Sequence, residues 1–376
     1  MGPLKGFKII EIAGIGPGQF CGMLLADMGA EIIRLERPEI EDPVVEMPAK
    51  FNLMNRSRPA VAIDLKTEQG TELVLRLCEE ADAIFEGYRP GVMERVGLGP
   101  DACMARNPKL VYGRMTGWGQ DGPLADSAGH DPNYIGLAGA LGCIGEKGGA
   151  PVYPLNLIGD FGGGGAYLAM GMLAAMLETS RSGKGQVVDA AMIDGVSSLM
   201  TLFYGLMAVG LWREERGSNV LDGGAPFVRT YKTADDKYVV IGSIENRFFR
   251  ELLAQLNIKD IDPARQNDQT YWPEMEEKLA AVFISKTRQE WSHILGGSDT
   301  CFAPVLDLSE VAQHPHNIAR KSHVVVDGIE QPAPAPRFSR TKSEIQCHPM
   351  DHKPATGVLR RWGLEDEEIK RLALQP

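Results

Sequence analysis

The sequence lacks the features of a membrane protein and of a nucleic-acid-binding protein. No apolar run among its 376 residues approaches the roughly 18 residues that a membrane span needs, and its start, MGPLKGFKIIEI, has no long apolar segment of the signal-peptide kind. Runs of Lys and Arg are missing and the formal net charge is −11, which argues against nucleic acid or an anionic membrane as a partner. We therefore expect a cytoplasmic protein in which any anionic ligand needs a local basic pocket.

Cysteine is scarce, and its spacing excludes the common cysteine-based sites. The six cysteines are scattered, with no CxxC pair or other metal-ligand spacing. This distribution is typical of reduced thiols in a cytosolic chain, so we expect neither disulfides nor a zinc site.

Alternating strand and helix patterns fill the first half of the chain. Its composition, 44% hydrophobic and 24% charged, is that of an ordinary soluble globular protein, and its length favours two folding units. Strand patterns occur at residues 7–13, 31–35, 61–65, 82–87 and 110–117, and helical patterns occur at 19–28 and 67–81. This alternation predicts an α/β fold with a Rossmann-like parallel sheet flanked by helices, in which ligands bind at the carboxyl ends of the strands.

The character of the sequence changes near residue 220. FVRTYKTADDKYVVIGS reads as a β-hairpin, and IENRFFRELLAQL, which follows it, reads as a helix. The proline-rich stretch QPAPAPRFS is an extended return connection. We predict a large domain over 1–185 with a return at 330–376, a linker strand and helix over 186–220, and a smaller α+β domain over 221–329.

The first glycine-rich loop resembles a dinucleotide-binding fingerprint but departs from it. Gly14, Gly16 and Gly18 lie between a predicted strand and helix, as in G-x-G-x-x-G. Gln19 occupies the position of the third glycine, and Pro17 removes an amide that a pyrophosphate would need. We interpret the loop as a tight turn and do not expect NAD binding.

A set of basic residues lies near the predicted strand ends of the first hundred residues. Guanidinium groups bind phosphates bidentately, so several of them in one crevice suit a ligand with multiple phosphates. For any single member, a solvated surface charge is the simpler interpretation. In EGYRPGVMERVG, Arg89 and Arg95 bracket a Pro-Gly turn, which favours a phosphate clamp there. The set consists of Arg34, Arg37, Arg56, Arg58, Lys66, Arg89 and Arg95.

His130 and Asp160 are the candidate acid/base residues. Asp160 precedes four glycines that open a predicted helix, where an N-cap is the simplest interpretation. A cap does not need four glycines, each of which costs roughly 0.5–1 kcal/mol against Ala inside a helix. Close approach of a ligand to the backbone would explain them. His130, taken alone, is interpreted as a hydrogen-bonded loop histidine.

The sequence resembles the family III CoA-transferase superfamily and, within it, the α-methylacyl-CoA racemases. Matching stretches cover nearly the whole chain in order, with two departures: Pro132 stands where an aliphatic residue is expected, and residues 39–54 match nothing. The stretches are EIAGIGPG, RLERP, AIDLK, EGYRPGVMERVGLGP, RMTGWGQDGP, AGHDPNY, PLNLIGDFGGGG, SGKGQVVDAAMIDG, LDGGAPF, IGSIENRFF and APAPRFSR.

The resemblance implies an isomerase that interconverts (2R)- and (2S)-2-methylacyl-CoA by proton transfer through an enolate. It assigns His130 and Asp160 as the two acid/bases and Glu245 as the carboxylate that orients the imidazole. Burial must then oppose the helix dipole at Asp160, and backbone amides near Asp160 are expected to meet the enolate oxygen. The resemblance also implies an interlocked homodimer and no metal or redox cofactor, since CoA is part of the substrate.

The resemblance also implies where CoA binds. The positions are Arg37, Ile63, Asp64, Leu65, Lys66, Gly87, Tyr88, Arg89, Arg95, Gly129, Asp131, Asn133 and Tyr134.

Two alternatives remain open. A family III CoA-transferase would use Asp160 as a nucleophile, form an acyl anhydride and move CoA to a second acid. His130 and Glu245 matter for proton transfer but not for acyl exchange, so they favour the racemase. A non-catalytic nucleotide-binding protein with a decayed Rossmann loop is the other alternative, and it would be indifferent to loss of His130.

Overall fold

The computed structural model describes residues 2–38, 47–347, 349 and 356–373. Residues 39–46 of the unmatched segment 39–54 lie outside this description. The chain folds as two compact units. The first combines the segments 1–138, 154–200 and 320–376, and the second combines 139–153 and 201–319.

A six-stranded parallel sheet forms the centre of the first unit. Its strands are β1 (Lys8–Ile12), β2 (Glu31–Glu36), β3 (Ala60–Ala62), β4 (Ala83–Glu86), β5 (Val111–Thr116) and β6 (Val187–Ala191). Their spatial order is β3-β2-β1-β4-β5-β6, and Ile10 of β1 lies opposite Ile33 and Ile84. Strands β4 and β5 are buried along their whole length, because helices cover both faces of the sheet. The predicted Rossmann-like sheet is confirmed.

The strand order reverses between β1 and β4. In doubly wound sheets a crevice opens at such a point, outside the carboxyl ends of the strands. The glycine loop after β1 and the EGYRPG turn after β4 therefore border this crevice.

Helices connect the strands. The α-helices in chain order are α1 (Pro17–Asp27), α2 (Glu68–Glu80), α3 (Val92–Arg95), α4 (Pro100–Arg106), α5 (Asp131–Leu137), α6 (Ala140–Cys143), α7 (Ala166–Ser182), α8 (Met192–Leu199), α9 (Thr201–Ala208), α10 (Asn246–Gln255), α11 (Trp272–Phe283), α12 (Arg288–Leu295), α13 (Leu308–Val311), α14 (Pro315–Arg320), α15 (Thr356–Arg361) and α16 (Asp366–Ala373). A π-helical segment covers Leu157–Gly165, and 3-10 turns cover Ala49–Phe51, Leu53–Asn55 and Pro263–Arg265. Helix α2 begins after Thr67, whose hydroxyl accepts a hydrogen bond from Gly70 N at 3.0 Å. No helix within the described ranges has both the length and the apolarity that crossing a membrane requires.

The second unit contains an antiparallel sheet of β7 (Val228–Lys232), β8 (Tyr238–Gly242) and β9 (Phe302–Pro304). Strands β7 and β8 form the predicted hairpin, and α10 follows as predicted. Aromatic side chains fill its core: the rings of Tyr231 and Phe283 stack at 5.0 Å, and Phe283 meets Trp291 edge to face at 5.3 Å. A separate pair, β10 (His323–Val326) and β11 (Ile329–Pro332), belongs to the first unit.

The units differ from the predicted domains at their boundaries. The predicted linker, 186–220, begins with β6, which pairs with β5 from Tyr112 opposite Val187 to Thr116 opposite Ala191. Strand β6 is thus a structural part of the sheet, and the division falls between α8 and α9. Residues 139–153, predicted within the large domain, belong to the second unit, and 320–329 belong to the first. These assignments depend on contacts between distant segments, which local sequence patterns do not report.

Candidate active site

His130 lies in the turn that leads into α5, where it adopts an extended conformation with φ −134° and ψ 175°. Its backbone N–H donates to Asn133 Oδ1 at 3.0 Å, and the side chain is exposed. The Tyr134 hydroxyl also donates a hydrogen bond to the Gly129 carbonyl, which stabilises the turn. The Tyr134 ring meets Trp118 edge to face at 4.7 Å. His130 is therefore a solvent-accessible imidazole on a firmly held turn.

These contacts involve three residues of the turn that were expected to bind CoA. Tyr134 is only 6% exposed, and its hydroxyl is already engaged. Asn133 Oδ1 serves the backbone of His130. A Cβ atom on Gly129 would lie 2.8 Å from the Tyr134 ring, so this glycine makes room for protein atoms. These three residues hold the His130 turn, and their expected part in CoA binding stays a prediction.

Asp160 does not cap a helix. It lies inside the π-helical segment Leu157–Gly165, which continues into α7, so the predicted N-cap position is wrong. Such π-helical turns are rare, and they occur frequently at functional sites. Asp160 is half-buried, and its carboxyl group is held by neighbouring segments of the first unit.

The glycines after Asp160 make room for protein rather than for a ligand, contrary to the expectation from sequence. A Cβ atom on Gly163 would lie 2.7 Å from Val196 Cγ2 of α8, and one on Gly165 would lie 2.5 Å from the Pro17 carbonyl oxygen of α1. Real Cβ contacts are not this short, so larger residues would force these helices apart. The glycine run thus lets α1 and α8 pack directly on the segment that carries Asp160.

Asp131, the residue after His130, contacts the Asp160 segment. Its Oδ2 atom accepts hydrogen bonds from Gly159 N at 2.7 Å and from Asp160 N at 2.8 Å. The side chain is 2% exposed, so it faces protein, and the expected contact of this residue with CoA stays a prediction. The Gly159 and Asp160 amides are therefore occupied by Asp131, and the expectation that other backbone amides near Asp160 meet the enolate oxygen stays a prediction.

The Asp160 carboxyl group has two different oxygen environments. Asn156 Nδ2 donates to Oδ2 at 2.9 Å, and a Cβ atom placed on Gly16 would lie 2.8 Å from the same oxygen. Within the described residues no donor reaches Oδ1. The glycine loop after β1, which forms the predicted tight turn, therefore faces Asp160. Gly16 precedes α1 with φ 58° and ψ −108°.

Burial is the main influence on the acidity of Asp160. It raises the pKa of this carboxyl above its ordinary value, while the Asn156 hydrogen bond lowers that pKa. The nearby negative charge of Asp131 raises the same pKa, and His130 lowers it. The prediction that burial raises the pKa of Asp160 is confirmed. His130 thus acts electrostatically on Asp160. A carboxyl group whose pKa is raised is suited to proton transfer.

Three arginines of the predicted basic set are buried in ion pairs. Arg58 Nη1 contacts Glu11 Oε2 at 2.6 Å, and Arg34 also pairs with Glu11. Arg56 Nη2 contacts Asp27 Oδ2 at 2.5 Å. These guanidinium groups have carboxylate partners inside the fold, so the interpretation of each as a solvated surface charge is wrong, and none of the three is free to bind a phosphate.

The remaining basic residues lie in the segments that follow strands β2, β3 and β4. Arg37 comes after β2, and its Nε donates to the Tyr88 hydroxyl at 3.1 Å. Lys66 after β3 and Arg95 at the end of α3 line one cleft of about 560 Å³ together with Leu65. Glu68 and Glu72 also line this cleft, so it carries charges of both signs, and the binding of an anionic ligand there stays a prediction.

The other predicted CoA positions include exposed loop residues, a residue that shapes its own turn and a residue buried in the core. Gly87 and Arg89 are exposed on the loop after β4, and Arg89 Nη1 donates to the Asp126 carbonyl at 3.5 Å. Asp64 Oδ1 accepts from Lys66 N at 2.9 Å and shapes its own turn. Ile63 is 1% exposed within the core, so its side chain does not line the crevice as predicted.

Glu245 belongs to the second unit. It directly precedes α10, where its carbonyl accepts from Phe249 N at 3.1 Å, and its side chain is exposed. After burial, the Glu245 charge is the next influence that raises the pKa of the Cys301 thiol. Its pairing with the His130 imidazole stays a prediction, since the two residues belong to different units.

Asn156 was missed from the sequence, as was the contact of Gly16 with Asp160. Asn156 precedes Asp160 by four residues, a spacing that places two side chains on one helical face and could have drawn attention to it. Gly16 gave no comparable signal, because its contact with Asp160 joins segments 144 positions apart, from 16 to 160.

Comparisons with known proteins agree with one another. Residues 4–370 match the sequence profile of CoA-transferase family III. The chain is 42% identical to the mouse alpha-methylacyl-CoA racemase over 98% of its own length and 96% of the relative's. It is 39% identical to the human alpha-methylacyl-CoA racemase with the same coverage. The crystal structure of a CaiB/BaiF family protein from Brucella suis is similar, with a TM-score of 0.79 and 26% identity, and the match covers 96% of this chain and 99% of that one.

Proposed function

The chain belongs to CoA-transferase family III, and from that premise we propose that it is an α-methylacyl-CoA racemase, which interconverts (2R)- and (2S)-2-methylacyl-CoA. The observation that carries the proposal is that the segments bearing an exposed imidazole, His130, and a half-buried carboxyl group, Asp160, are joined directly: Asp131, the residue after His130, accepts hydrogen bonds from Gly159 N and Asp160 N at 2.7 and 2.8 Å. Full-length similarity to two proteins named as racemases supports it.

The chemistry requires two groups that share one exchangeable proton. The α-proton of a thioester is weakly acidic, so one group removes it, an enolate forms, and the other group returns a proton to the opposite face. With neutral His130 and protonated Asp160, the imidazole is the base. With imidazolium and carboxylate, Asp160 is the base. Each turnover exchanges these two states.

The oxygen environments of Asp160 indicate which atom carries the proton. Asn156 donates to Oδ2, and a protonated Oδ2 would oppose that hydrogen bond with its own hydrogen. Oδ1 has no such donor among the described residues, so it is the oxygen we assign to proton transfer.

The other roles in this proposal concern orientation and binding. The family resemblance assigns to Glu245 the role of orienting the His130 imidazole and fixing its tautomer, and this role stays a prediction. Arg37, Lys66 and Arg95 bind the CoA phosphates, and their common position at the carboxyl edge of the sheet supports this assignment. No metal or redox cofactor takes part in the proposed reaction, because the thioester of CoA itself activates the α-proton.

A homodimer and a cytoplasmic location complete the proposal. Large apolar side chains on α9 are exposed, with Leu202 at 57% and Tyr204 at 60%, which supports burial against a second copy. Cys21, Cys78 and Cys103 are buried free thiols, as expected in a reducing compartment.

The alternative within the family is transfer of CoA, with Asp160 as the nucleophile. In that reaction the Asp160 carboxylate itself forms a bond to the acyl carbon. His130 has no assigned part in acyl exchange.

One incubation distinguishes the two reactions. The protein is mixed with (2S)-2-methylacyl-CoA in D2O, with and without a second carboxylic acid, and the α-proton, the configuration and the CoA ester of the added acid are followed. Deuterium incorporation with inversion and no CoA transfer supports the racemase. Transfer to the added acid, with an intermediate on Asp160 that hydroxylamine traps, would establish the transferase instead.

A further inference from the structure

Asp131 connects the two proposed acid/base residues. It follows His130 directly in the chain, and its Oδ2 accepts hydrogen bonds from the backbone N–H groups of Gly159 and Asp160 at 2.7 and 2.8 Å. Two amides from successive residues that converge on one oxygen fix the peptide before Asp160 in position and in orientation. The distance between the His130 turn and the Asp160 segment therefore depends on this carboxylate.

The absence of a side chain at Gly159 also permits the contact with Asp131. A Cβ atom on Gly159 would lie 2.5 Å from Asp131 Oδ2, so a residue with a side chain would push the two segments apart. Glycine at this position permits the approach.

Asp131 is also a buried carboxylate without a cation beside it. It is 2% exposed, no Lys or Arg within the described ranges forms an ion pair with it, and its Oδ1 is buried without a hydrogen-bond partner there. Burial of an ionised group without a counter-ion is unfavourable, so a purely structural link would be served better by a neutral acceptor. Asparagine offers such an acceptor with the same shape.

We infer that Asp131 is a positioning residue, whose carboxylate fixes Asp160 against the His130 turn and supplies a negative charge beside the Asp160 carboxyl group. This inference rests on the proposed racemase function, in which Asp160 must be able to carry a proton. A fixed negative charge disfavours the ionised form of its neighbour, so Asp131 assists burial in raising the pKa of Asp160.

Few other charges act on Asp160. His130 is the second charged group that influences it, and it lowers the pKa. Tyr134 is a further titratable group in range, since the Asp160 charge contributes to raising the pKa of that phenol. Helices α1 and α8 bring uncharged groups to this segment, Gly16 and Val196 among them. Asp131 is thus the source of negative charge that a single substitution can remove.

Two substitutions separate the hydrogen bonds from the charge. Asp131→Asn keeps an acceptor for both amides and removes the charge. Asp131→Ala removes both. At low pH the racemase is lost when the pair gains a second proton on Asp160, so the acidic limb of the kcat/KM profile reports the proton affinity of Asp160. Without the Asp131 charge that affinity falls, and the acidic limb must move to lower pH.

We expect the acidic limb of Asp131→Asn to move down by about one pH unit, with kcat at the optimum within about threefold of the unsubstituted enzyme. Asp131→Ala is expected to lose kcat by about 100-fold, because a displacement of about 1 Å has that effect, while KM changes little. Asp121→Asn, which removes an exposed carboxylate from the loop after β5, is the matched control and leaves the limb in place.

An acidic limb of Asp131→Asn that coincides with that of Asp121→Asn would overturn the inference, as would a kcat of Asp131→Ala equal to that of Asp131→Asn. If circular dichroism shows that Asp131→Ala does not fold, the limb of Asp131→Asn decides alone. Failure of the inference differs from failure of the proposed function: in the first case the unsubstituted enzyme still exchanges the α-proton in D2O, and in the second it does not.

Discussion

Gly16 and Asp160 contact each other at a position that admits no side chain: a Cβ atom on Gly16 would lie 2.8 Å from Asp160 Oδ2. Gly16 also has a φ of 58° with a ψ of −108°, which L-residues rarely adopt. The glycine loop after β1 is therefore part of the wall around the proposed acid/base carboxyl group, and not a site for dinucleotide phosphates.

Gly16→Ala is expected to displace the Asp160 carboxyl group and to lower kcat by about 10- to 100-fold with either enantiomer. Steady-state kinetics in both directions measures the effect. Gly14→Ala in the same loop and Gly18→Ala in the first turn of α1 are matched controls, since a Cβ atom on either meets nothing within 4 Å. A Gly16→Ala enzyme as active as these controls would show that the contact with Asp160 is unimportant.

Asn156→Leu is expected to shift the pH profile in the direction opposite to Asp131→Asn. Burial raises the pKa of Asp160 and the Asn156 hydrogen bond lowers it, so the loss of that hydrogen bond raises the pKa further. The acidic limb of kcat/KM should then move to higher pH by about one unit. The profile is measured from pH 4 to 9 on the same substrate for both variants. A limb that stays in place or moves down would contradict the assigned contact.

Arg95→Ala is expected to raise KM for the acyl-CoA about tenfold and to leave kcat within about twofold, since loss of one charge-assisted hydrogen bond to a phosphate weakens binding without touching the reacting carbon. Arg95 lines the cleft with Lys66. Arg181→Ala, an exposed arginine in the last turn of α7, controls for the loss of one positive charge. An equal KM for both variants would remove Arg95 from the CoA site.

Arg58→Met is expected to act on stability instead. It leaves the fully buried Glu11 with Arg34 as its remaining partner, and disruption of a buried ion pair costs about 3–5 kcal/mol in the free energy of unfolding. Urea titration followed by circular dichroism measures this loss. Enzyme that remains folded should have an unchanged KM. A stable Arg58→Met protein with an increased KM would return Arg58 to the phosphate site.

The parallel sheet was predictable because each buried strand is a short apolar run between helical patterns. FKIIEIA and EIIRL became β1 and β2, and the alternation of the hairpin gave β7 and β8. Strand β6 shows the same local pattern, but its place in the sheet depends on pairing with β5, more than 70 residues earlier in the chain. Local patterns carry no information about such pairing, so the domain boundary was placed too early.

The site was predictable in its residue types but not in its contacts. His130 and Asp160 were identified from the sequence. The family resemblance assigned Asp131 to the CoA site, and no local pattern indicated its hydrogen bonds to the backbone at Gly159 and Asp160, which cross nearly 30 positions. Arg58 was likewise grouped with solvent-facing arginines, since nothing near it in sequence indicates that its partner is Glu11. The type of a side chain determines which groups it can bind, whereas packing in the folded protein determines where that side chain points.

Exchange of the α-proton by two single variants separates the roles of His130 and Asp160. Each enantiomer of 2-methylacyl-CoA is incubated in D2O with Asp160→Asn and with His130→Gln, and deuterium incorporation and configuration are followed. If the two groups act on opposite faces, neither variant racemises, and each still exchanges the proton of one enantiomer with retention, Asp160→Asn the one served by His130 and His130→Gln the other. Inversion by either variant, or exchange of the same enantiomer by both, would contradict a proton shared between His130 and Asp160.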